Sequence, residues 1–358
     1  MSEKHSTDVV IIGAGPVGLF AVFECGTLKM KCHVVDTLDF IGGQCNALYP
    51  EKPIYDIPAF ASIDAQDLIK NLEEQAAPYE PVYHLGQQVV GLERIKEVPS
   101  SAEKDSPIIA KGNSGNDGYN FIIKTSKDTE ISCKAVIIAA GCGAFGPNRP
   151  PLEGIEQYEA GGSVAYMVGA KESFRGKNVV VAGGGDSAVD WTLSLADIAN
   201  KVSLVHRRAK FRCAPENADK IKELAASGKI DLVVPYQLNS LKGENGNLEA
   251  VVVADLDGNK KEIEADHLLP FYGLAMELGP IANWGLNIEK KHIDVTPHDC
   301  STNIEGIFAI GDICDYKGKL KLITCGFSEA AMAAHAAYPL VHDEALHFEY
   351  STTKGVPG

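Results

Sequence analysis

The chain has 358 residues, 45% of them hydrophobic and 35 of them glycine, which is enough to form two hydrophobic cores. Its 48 acidic and 33 basic residues give a formal charge of −15, which argues against nucleic-acid binding. The polar N-terminus lacks the apolar core of a signal peptide, and the longest apolar stretch, residues 9–25, is interrupted by a glycine-rich loop. We therefore expect a cytoplasmic protein that does not enter the membrane.

The first predicted element is a buried strand at residues 8–12, and it is followed by Gly-Ala-Gly-Pro-Val-Gly at residues 13–18. Gly13 permits a sharp turn, Gly15 leaves room for a pyrophosphate, and Gly18 lets the next helix pack closely on the strand. The free N–H groups at the start of that helix would face the pyrophosphate. This pattern predicts a dinucleotide-binding loop.

The second predicted strand, residues 32–36, ends in Asp36. A carboxylate at this position accepts hydrogen bonds from ribose hydroxyls and repels a 2′-phosphate. The first site should therefore hold FAD or NAD rather than NADP.

Two later segments favour FAD at this first site. Ala-Ala-Gly at residues 139–141 closes an apolar strand and would bring bare backbone near the cofactor. Residues 302–312 form a short apolar strand that runs into Gly311 and Asp312, whose carboxylate could bond a ribityl chain. At this point the chain resembles the two-dinucleotide flavoprotein reductases.

A second strand–loop–helix pattern starts at residue 178, with Gly183 and Gly185 in the loop and Ala188 in place of the third glycine. The strand after it, residues 201–205, is followed by cations instead of a carboxylate. Arginine binds phosphate through two parallel charge-assisted hydrogen bonds. We predict NADPH at this site, with its 2′-phosphate near Arg207, Arg208 and Arg212.

The motif order predicts an α/β protein with two Rossmann-like domains, the NADPH domain being inserted into the FAD domain. We place the first part of the FAD domain at residues 1–150, the NADPH domain at 151–283, and the second part of the FAD domain with a C-terminal extension at 284–358. Turn-rich joints at residues 146–151 and 272–280 support these boundaries.

The nine cysteines include no Cys-x-x-Cys pair. Gly-Gly-Gln at residues 42–44, the second glycine loop and His-Arg-Arg at 206–208 resemble bacterial thioredoxin reductases, which pass electrons through such a pair. A disulfide reductase that uses two distant cysteines, such as Cys142 and Cys325, is the enzyme alternative.

Without the dithiol, the closer resemblance is to the thioredoxin-reductase-like type of ferredoxin–NADP⁺ reductase. It covers essentially the whole chain, and its most specific pieces are residues 42–56, Trp191, residues 315–321 and the tail at 348–353. The resemblance implies that Tyr55 and Tyr350 stack on opposite faces of the isoalloxazine. It also implies that FAD is lined by Gln44, Tyr49, Val89, Phe145, Asp312 and Thr353.

The resemblance implies electron transfer between NADPH and ferredoxin or flavodoxin, with hydride transfer to FAD N5 followed by one-electron steps. We assign no catalytic acid, base or nucleophile and no metal ligand, and we expect a homodimer. A regulatory flavoprotein without an electron-transfer partner is the non-enzyme alternative.

Docking of an acidic ferredoxin on a chain of charge −15 requires a local basic patch. Lys317, Lys319 and Lys321 follow Asp312 closely and are the candidates. The same three lysines could equally belong to a solvated turn.

Overall fold

The computed structural model describes residues 3–95 and 120–342. The chain forms two compact units: Met1–Ala144 with Met276–Gly358 make the first, and Phe145–Ala275 make the second. The second unit is thus inserted between the two halves of the first. The boundaries placed from sequence at residues 150 and 283 lie six and eight residues later in the chain.

The strands are β1 (Glu3–Ser6), β2 (Val9–Ile12), β3 (Cys32–Val35), β4 (Pro53–Ile54), β5 (Ile63–Asp64), β6 (Val82–His84), β7 (Val89–Arg94), β8 (Phe121–Thr125), β9 (Thr129–Cys133), β10 (Ala135–Ile138), β11 (Ala144–Pro147), β12 (Asn178–Ala182), β13 (Lys201–Val205), β14 (Asp231–Val233), β15 (Gln237–Glu244), β16 (Asn247–Ala254), β17 (Lys260–Glu264), β18 (His267–Pro270), β19 (Leu274–Glu277), β20 (Ile288–Glu289), β21 (His292–Asp294), β22 (Ile307–Ala309) and β23 (Cys314–Asp315). The α-helices are α1 (Pro16–Thr27), α2 (Gly43–Leu48), α3 (Ala65–Ala76), α4 (Ile155–Ala160), α5 (Asp186–Leu195), α6 (Pro215–Ala226) and α7 (Ile323–His342).

A five-stranded parallel sheet, in the order β22-β10-β2-β3-β6, forms the centre of the first unit. The residues of β2, β3 and β10 are buried throughout, since both faces of the sheet are covered. One face packs against α1 and α7 through a core that includes Ile11, Val22 and Ala333. The other face packs towards the four-stranded sheet β1-β9-β8-β7, with Phe121 and Ile138 in the shared core.

The second unit repeats this plan with a four-stranded parallel sheet, in the order β14-β13-β12-β18. A three-stranded antiparallel sheet, β15-β16-β17, packs against it through Val180, Val251 and Leu268. The connecting strands β11 and β19 pair with each other. Each unit therefore has its own parallel sheet and core, and the predicted α/β class with two Rossmann-like units is confirmed.

Candidate functional site

The first glycine loop is shaped by two close backbone approaches. Gly13 has φ +113°, and its N–H donates to the Val35 carbonyl oxygen at an N···O distance of 2.8 Å. A Cβ on Gly13 would lie 2.3 Å from the Ala139 carbonyl oxygen, and a Cβ on Gly18 would lie 2.0 Å from the Gly13 carbonyl oxygen. Backbone atoms cannot yield easily, so both positions require glycine.

Gly15 differs because a Cβ there would have no heavy atom within 4 Å. It is the N-cap of α1, with Pro16 at the first helical position and no acidic residue in the first turn. The N-terminus of α1 thus directs N–H groups towards an open space, and its first turn carries no acidic side chain. This geometry suits a phosphate group.

Asp36 follows β3 and lies beside the first glycine loop. Its Oδ2 accepts the N–H of Ala14 at 2.6 Å, and its Oδ1 accepts the N–H of Leu38 at 2.8 Å. Burial raises the pKa of this carboxyl, and the backbone N–H groups partly offset that rise. These two bonds hold the carboxylate in place at the carboxyl end of the sheet.

Residues 42–49 form a second wall of the site. The N–H of Gly42 donates to the Ala14 carbonyl oxygen at 2.9 Å, and a Cβ on Gly43 would lie 3.0 Å from the Cα of Gly15. Gln44 reaches the segment after β10, where a Cβ on Gly141 would lie 3.2 Å from the Gln44 Nε2. The loop therefore bridges the first glycine motif and residues 139–142.

Asp312 lies on the short 3₁₀ turn Gly311–Ile313 and faces the same region. Burial raises the pKa of the Cys45 thiol to about 11, and the charge of Asp312 adds to this rise. Asp312 likewise contributes to the raised pKa values of Tyr49 and Cys142, for which burial is the main cause. Four segments thus meet around the start of α1, namely residues 13–18, 42–49, 139–142 and 311–312.

Sequence reasoning did not single out Asn46, which lies in α2. Its Nδ2 donates to the Ile41 carbonyl oxygen at 2.9 Å, whereas its buried Oδ1 has no hydrogen-bond partner within the described part of the chain. A buried acceptor of this kind is one that the N–H or O–H group of a bound ligand would satisfy. Only its position within residues 42–49 could have drawn attention to it.

The other residues predicted at the first site lie in different environments. Tyr55 is 71% exposed, whereas Val89 is 4% exposed and packs in the core that also contains Leu278 and Ile281. Phe145 belongs to β11, but its side chain is outside the described part of the structure. Tyr350 and Thr353 also lie outside the described residues.

The second glycine loop, like the first, has a glycine at which a side chain would clash and a glycine that faces open space. A Cβ on Gly183 would lie 2.6 Å from the Phe271 carbonyl oxygen and 2.8 Å from the Cβ of Ala188, which is itself fully buried. A Cβ on Gly185 would meet nothing within 4 Å, and Gly185 is the N-cap of α5. The second loop therefore also leaves open space at a helix N-terminus, and the first turn of α5 differs from that of α1 in carrying Asp186.

The predicted phosphate-binding arginines follow β13 and lie beside this second loop. Arg212 is tied to the loop by its N–H, which donates to the Gly184 carbonyl oxygen at 2.7 Å. Arg207 and Arg208 are exposed, and none of these three guanidinium groups forms an ion pair with a described carboxylate. Their charges remain available to an anionic ligand.

His206 is packed beneath these arginines. Its imidazole stacks on Phe211 with a 5.2 Å centroid distance, and its ring atoms lie where a Cβ on Gly184 would stand. Burial lowers the pKa of His206, and the charges of Arg212, Arg207 and Arg208 lower it further. These surroundings therefore favour the neutral imidazole, and its buried Nε2 has no partner among the described residues.

All nine cysteines are free thiols. Burial raises the pKa of Cys142, that of Cys45 to about 11 and that of Cys300 to about 12. A thiol with a raised pKa is a poor nucleophile at neutral pH. These three sites do not offer the reactive thiolate that a dithiol relay needs.

The predicted docking patch of Lys317, Lys319 and Lys321 is wrong at Lys319. Lys317 and Lys321 are exposed, but the Lys319 side chain is only 2% exposed and pairs with Glu329, which is 1% exposed. Lys319 therefore cannot contribute to a docking surface.

Within residues 3–95 and 120–342, no group of His, Cys, Asp and Glu side chains has the arrangement of a metal site. No helix in the described ranges combines the length and apolar character required to cross a membrane.

Comparison with known proteins decides the family. Residues 7–337 match the model of the pyridine nucleotide-disulphide oxidoreductase family. A protein of Acidiphilium cryptum named Ferredoxin--NADP reductase is 57% identical over 100% of this chain and 99% of its own length. A protein of the same name from Rhodospirillum rubrum is 57% identical over 100% of this chain and 98% of its own length. Another, from Paramagnetospirillum magneticum, is 56% identical over 99% of this chain and 99% of its own length.

The chain belongs to the ferredoxin–NADP reductases, within the pyridine nucleotide-disulphide oxidoreductase family. The resemblance found from sequence is thereby confirmed, and the protein is an oxidoreductase. Among solved structures, thioredoxin reductase from Lactococcus lactis is similar, with a TM-score of 0.76, 26% identity, and coverage of 94% of this chain and 100% of that one. Thioredoxin reductase from T. acidophilum has the same fold, with a TM-score of 0.76 at 22% identity over 93% of this chain and 98% of that one.

Proposed function

We propose that this ferredoxin–NADP reductase carries electrons between NADPH and ferredoxin through FAD. One observation carries the proposal: both glycine loops leave open space at a helix N-terminus, but the strands beside them are followed by opposite charges. Asp36 lies beside the first loop, and the cations Arg207 and Arg208 follow the corresponding strand of the second. The sites thus suit two different dinucleotides, of which only one carries a 2′-phosphate.

The first unit would be the FAD-binding domain. Gly13, Gly15 and Gly18 form the loop for the pyrophosphate, and Asp36 would bond the ribose of the adenosine. Bound FAD would supply the conversion between two-electron hydride chemistry and one-electron transfer. The residues we assign around the rest of the cofactor are Gln44, Asn46, Tyr49, Tyr55, Val89, Phe145, Asp312, Tyr350 and Thr353.

The second unit would be the NADPH-binding domain. Gly183, Gly185 and Ala188 shape its loop, and the guanidinium groups after β13 would clamp the 2′-phosphate. In each unit the protein would bind and orient a cofactor, and we assign no side chain as a proton donor, proton acceptor or nucleophile. Hydride transfer followed by one-electron transfer depends on the positioning and electrostatics of the cofactors more than on acid–base chemistry by side chains.

The flavin ring would be shielded by two aromatic side chains. The 71% exposure of Tyr55 leaves its ring free to stack on a planar ligand. Tyr350 would cover the opposite face and move aside when the nicotinamide arrives. Replacement of Tyr350 by alanine should change the flavin spectrum and the NADPH kinetics, and wild-type values for both would contradict the stacking.

Ferredoxin would dock beside the turn that carries Asp312. Lys317 and Lys321 supply exposed positive charge there, and the exposed Leu320 and Leu322 add apolar surface. Charge reversal in K317E/K321E should weaken ferredoxin turnover in a salt-dependent manner and spare NADPH oxidation by ferricyanide. The control K70E/K222E changes the net charge equally at exposed sites elsewhere. Equal losses in the two double variants would exclude this docking site.

We further propose that the protein acts as a homodimer in the cytoplasm. Size-exclusion chromatography with light scattering tests the first point: a mass near 77 kDa is about twice the 38.3 kDa of one chain. A mass that stays at one chain over the working concentration range would contradict the dimer. Fractionation of the source cells tests the location.

The deciding assay is NADPH-driven cytochrome c reduction with and without ferredoxin, beside a parallel assay with thioredoxin and an aromatic disulfide. Stimulation by ferredoxin with no disulfide turnover supports the proposal. Disulfide turnover without stimulation would instead support a reductase that uses an atypical cysteine pair. No turnover with any acceptor would favour a regulatory flavoprotein.

A further inference from the structure

A buried ion pair lies directly behind the turn that carries Asp312. It joins Lys319 to Glu329 on α7, and their side chains are 2% and 1% exposed. In the other ion pairs between described residues, at least one side chain is more than 20% exposed. Burial of two charges is unfavourable unless both are well paired and hydrogen-bonded, so this pair calls for a physical reason.

The Glu329 carboxylate is surrounded by donors on both oxygens. Its Oε2 accepts the N–H of Gly311 at 2.7 Å and lies 3.7 Å from the Cys314 Sγ. Its Oε1 accepts the Tyr316 hydroxyl at 2.7 Å and the Lys319 ammonium. The Lys319 Nζ also lies 5.5 Å from the centroid of the Tyr316 ring. These contacts compensate the charge of the buried carboxylate.

The contact with Gly311 links this carboxylate to the cofactor site. Gly311 is buried and has φ +76°, and it immediately precedes Asp312. Its N–H donates to Glu329, whereas the N–H of the preceding Ile310 donates to the Ile138 carbonyl oxygen at 2.9 Å. Glu329 is therefore the acceptor that holds the Ile310–Gly311 peptide group, one residue before Asp312.

We propose that Glu329, held in place by Lys319, is a positioning residue that keeps the Gly311–Asp312 turn in the shape that binds the ribityl chain of FAD. This inference rests on the proposed function, because it takes FAD to be the ligand of the first unit. Neutral replacement of a buried ion pair is often tolerated by a fold. We therefore assign the pair a role in the geometry of the turn, which it exerts through the hydrogen bond from the Gly311 N–H to Glu329.

The test compares two double variants of the purified holoenzyme. E329Q/K319M removes both charges and keeps an oxygen acceptor opposite Gly311, whereas E329M/K319M removes both charges and the acceptor. The readouts are the rate of FAD release on dilution, followed by the rise of flavin fluorescence, and the visible flavin spectrum. We expect release within threefold of wild type for E329Q/K319M, and at least tenfold faster release with a shifted spectrum for E329M/K319M.

Equal release rates in the two variants would overturn the proposal. If E329M/K319M does not fold, E329Q/K319M decides alone, because release accelerated tenfold despite the retained acceptor would also overturn it. The matched control Y316F removes a different donor to Glu329 and should release FAD at the wild-type rate. Wild-type protein purified without any flavin would instead count against the proposed function itself.

Discussion

A Cβ atom on Gly326 of α7 would lie only 2.4 Å from the Cγ2 of Val17 on α1. Val17 directly follows Pro16 in the first turn of α1, and its Cγ atoms would also lie 3.5 Å from a Cβ on Gly311. The glycine loop, the Gly311–Asp312 turn and α7 are therefore packed around one valine. The two segments assigned to FAD are held together by this contact.

Replacement of Gly326 by alanine should destabilise this packing. The β-branched Val17 has little rotamer freedom in a helix, so the helices must separate, at a cost of about 1–3 kcal/mol. Thermal unfolding and FAD release from the holoenzyme check both consequences. The control is Gly91→Ala, where the new Cβ would have an ordinary 3.5 Å contact. An unchanged melting temperature in the Gly326 variant would show that the helices adapt.

Substitutions at two glycines of the first loop should affect cofactor binding and folding separately. Gly15→Ala places a methyl group in open space, so we expect a folded protein that loses at least tenfold in FAD affinity. Gly18→Ala places its methyl group against the Gly13 carbonyl oxygen and should lower stability itself. Circular dichroism and the ratio of flavin to protein absorbance distinguish the two effects. A Gly15→Ala protein that retains its full flavin content would exclude pyrophosphate at this position.

Arg207 and Arg208 of the second unit should determine its preference for NADPH over NADH. Arg207→Ala/Arg208→Ala should raise the KM for NADPH at least about 10-fold and leave the KM for NADH nearly unchanged, since the loss of even one charge-assisted hydrogen bond costs about 1.5–3 kcal/mol. Arg175→Ala is the control, because Arg175 pairs with Glu172 at an exposed site. Steady-state kinetics with both nucleotides provides the measurement. Parallel rises for NADPH and NADH would refute the 2′-phosphate assignment.

A cluster of three histidines should make the first unit sensitive to acid. His33 Nδ1 lies 2.9 Å from His84 Nε2, and the ring of His5 lies 5.0 Å from that of His84 and 5.5 Å from that of His33. Burial, followed by the charges of His84 and His5, lowers the pKa of His33 to about 4. Burial and the charge of His5 also lower the pKa of His84, and the charge of the neighbouring Glu3 partly opposes this change.

The folded state thus favours neutral His33. Its contribution to stability is complete above the unfolded pKa of about 6.5 and is lost as the pH falls towards 4, by up to about 3 kcal/mol. Urea unfolding at several pH values should show this loss, and His33→Gln should reduce it. His298→Gln is the control, since the His298 side chain is 79% exposed. The same pH dependence in wild type and His33→Gln would contradict the role of His33.

The buried thiols should be dispensable for electron transfer. Because burial raises the pKa of Cys45 to about 11 and also raises that of Cys142, neither thiol is primed as a nucleophile. Cys45→Ala and Cys142→Ala should each keep ferredoxin-dependent turnover within about threefold of wild type, a loss of less than 1 kcal/mol in transition-state stabilisation. Loss of turnover together with a newly labelled cysteine in the NADPH-reduced wild type would support the disulfide alternative.

The sequence by itself determined the two glycine loops and the charges that follow the strands beside them. A strand, a tight turn and a helix N-terminus are local structures, so the order of residues specifies them directly. For the same reason, the sequence distinguished Asp36 from Arg207 and Arg208, and the family resemblance followed from motifs read along the chain.

Only the tertiary structure decided which charges are exposed. Lys319 reads as one of three similar lysines, yet α7 brings Glu329 against it and buries both side chains. The proximity of His5, His33 and His84 likewise brings together elements that are distant in the sequence. Burial and pairing arise from packing between such elements, and a local pattern of residue types does not specify them.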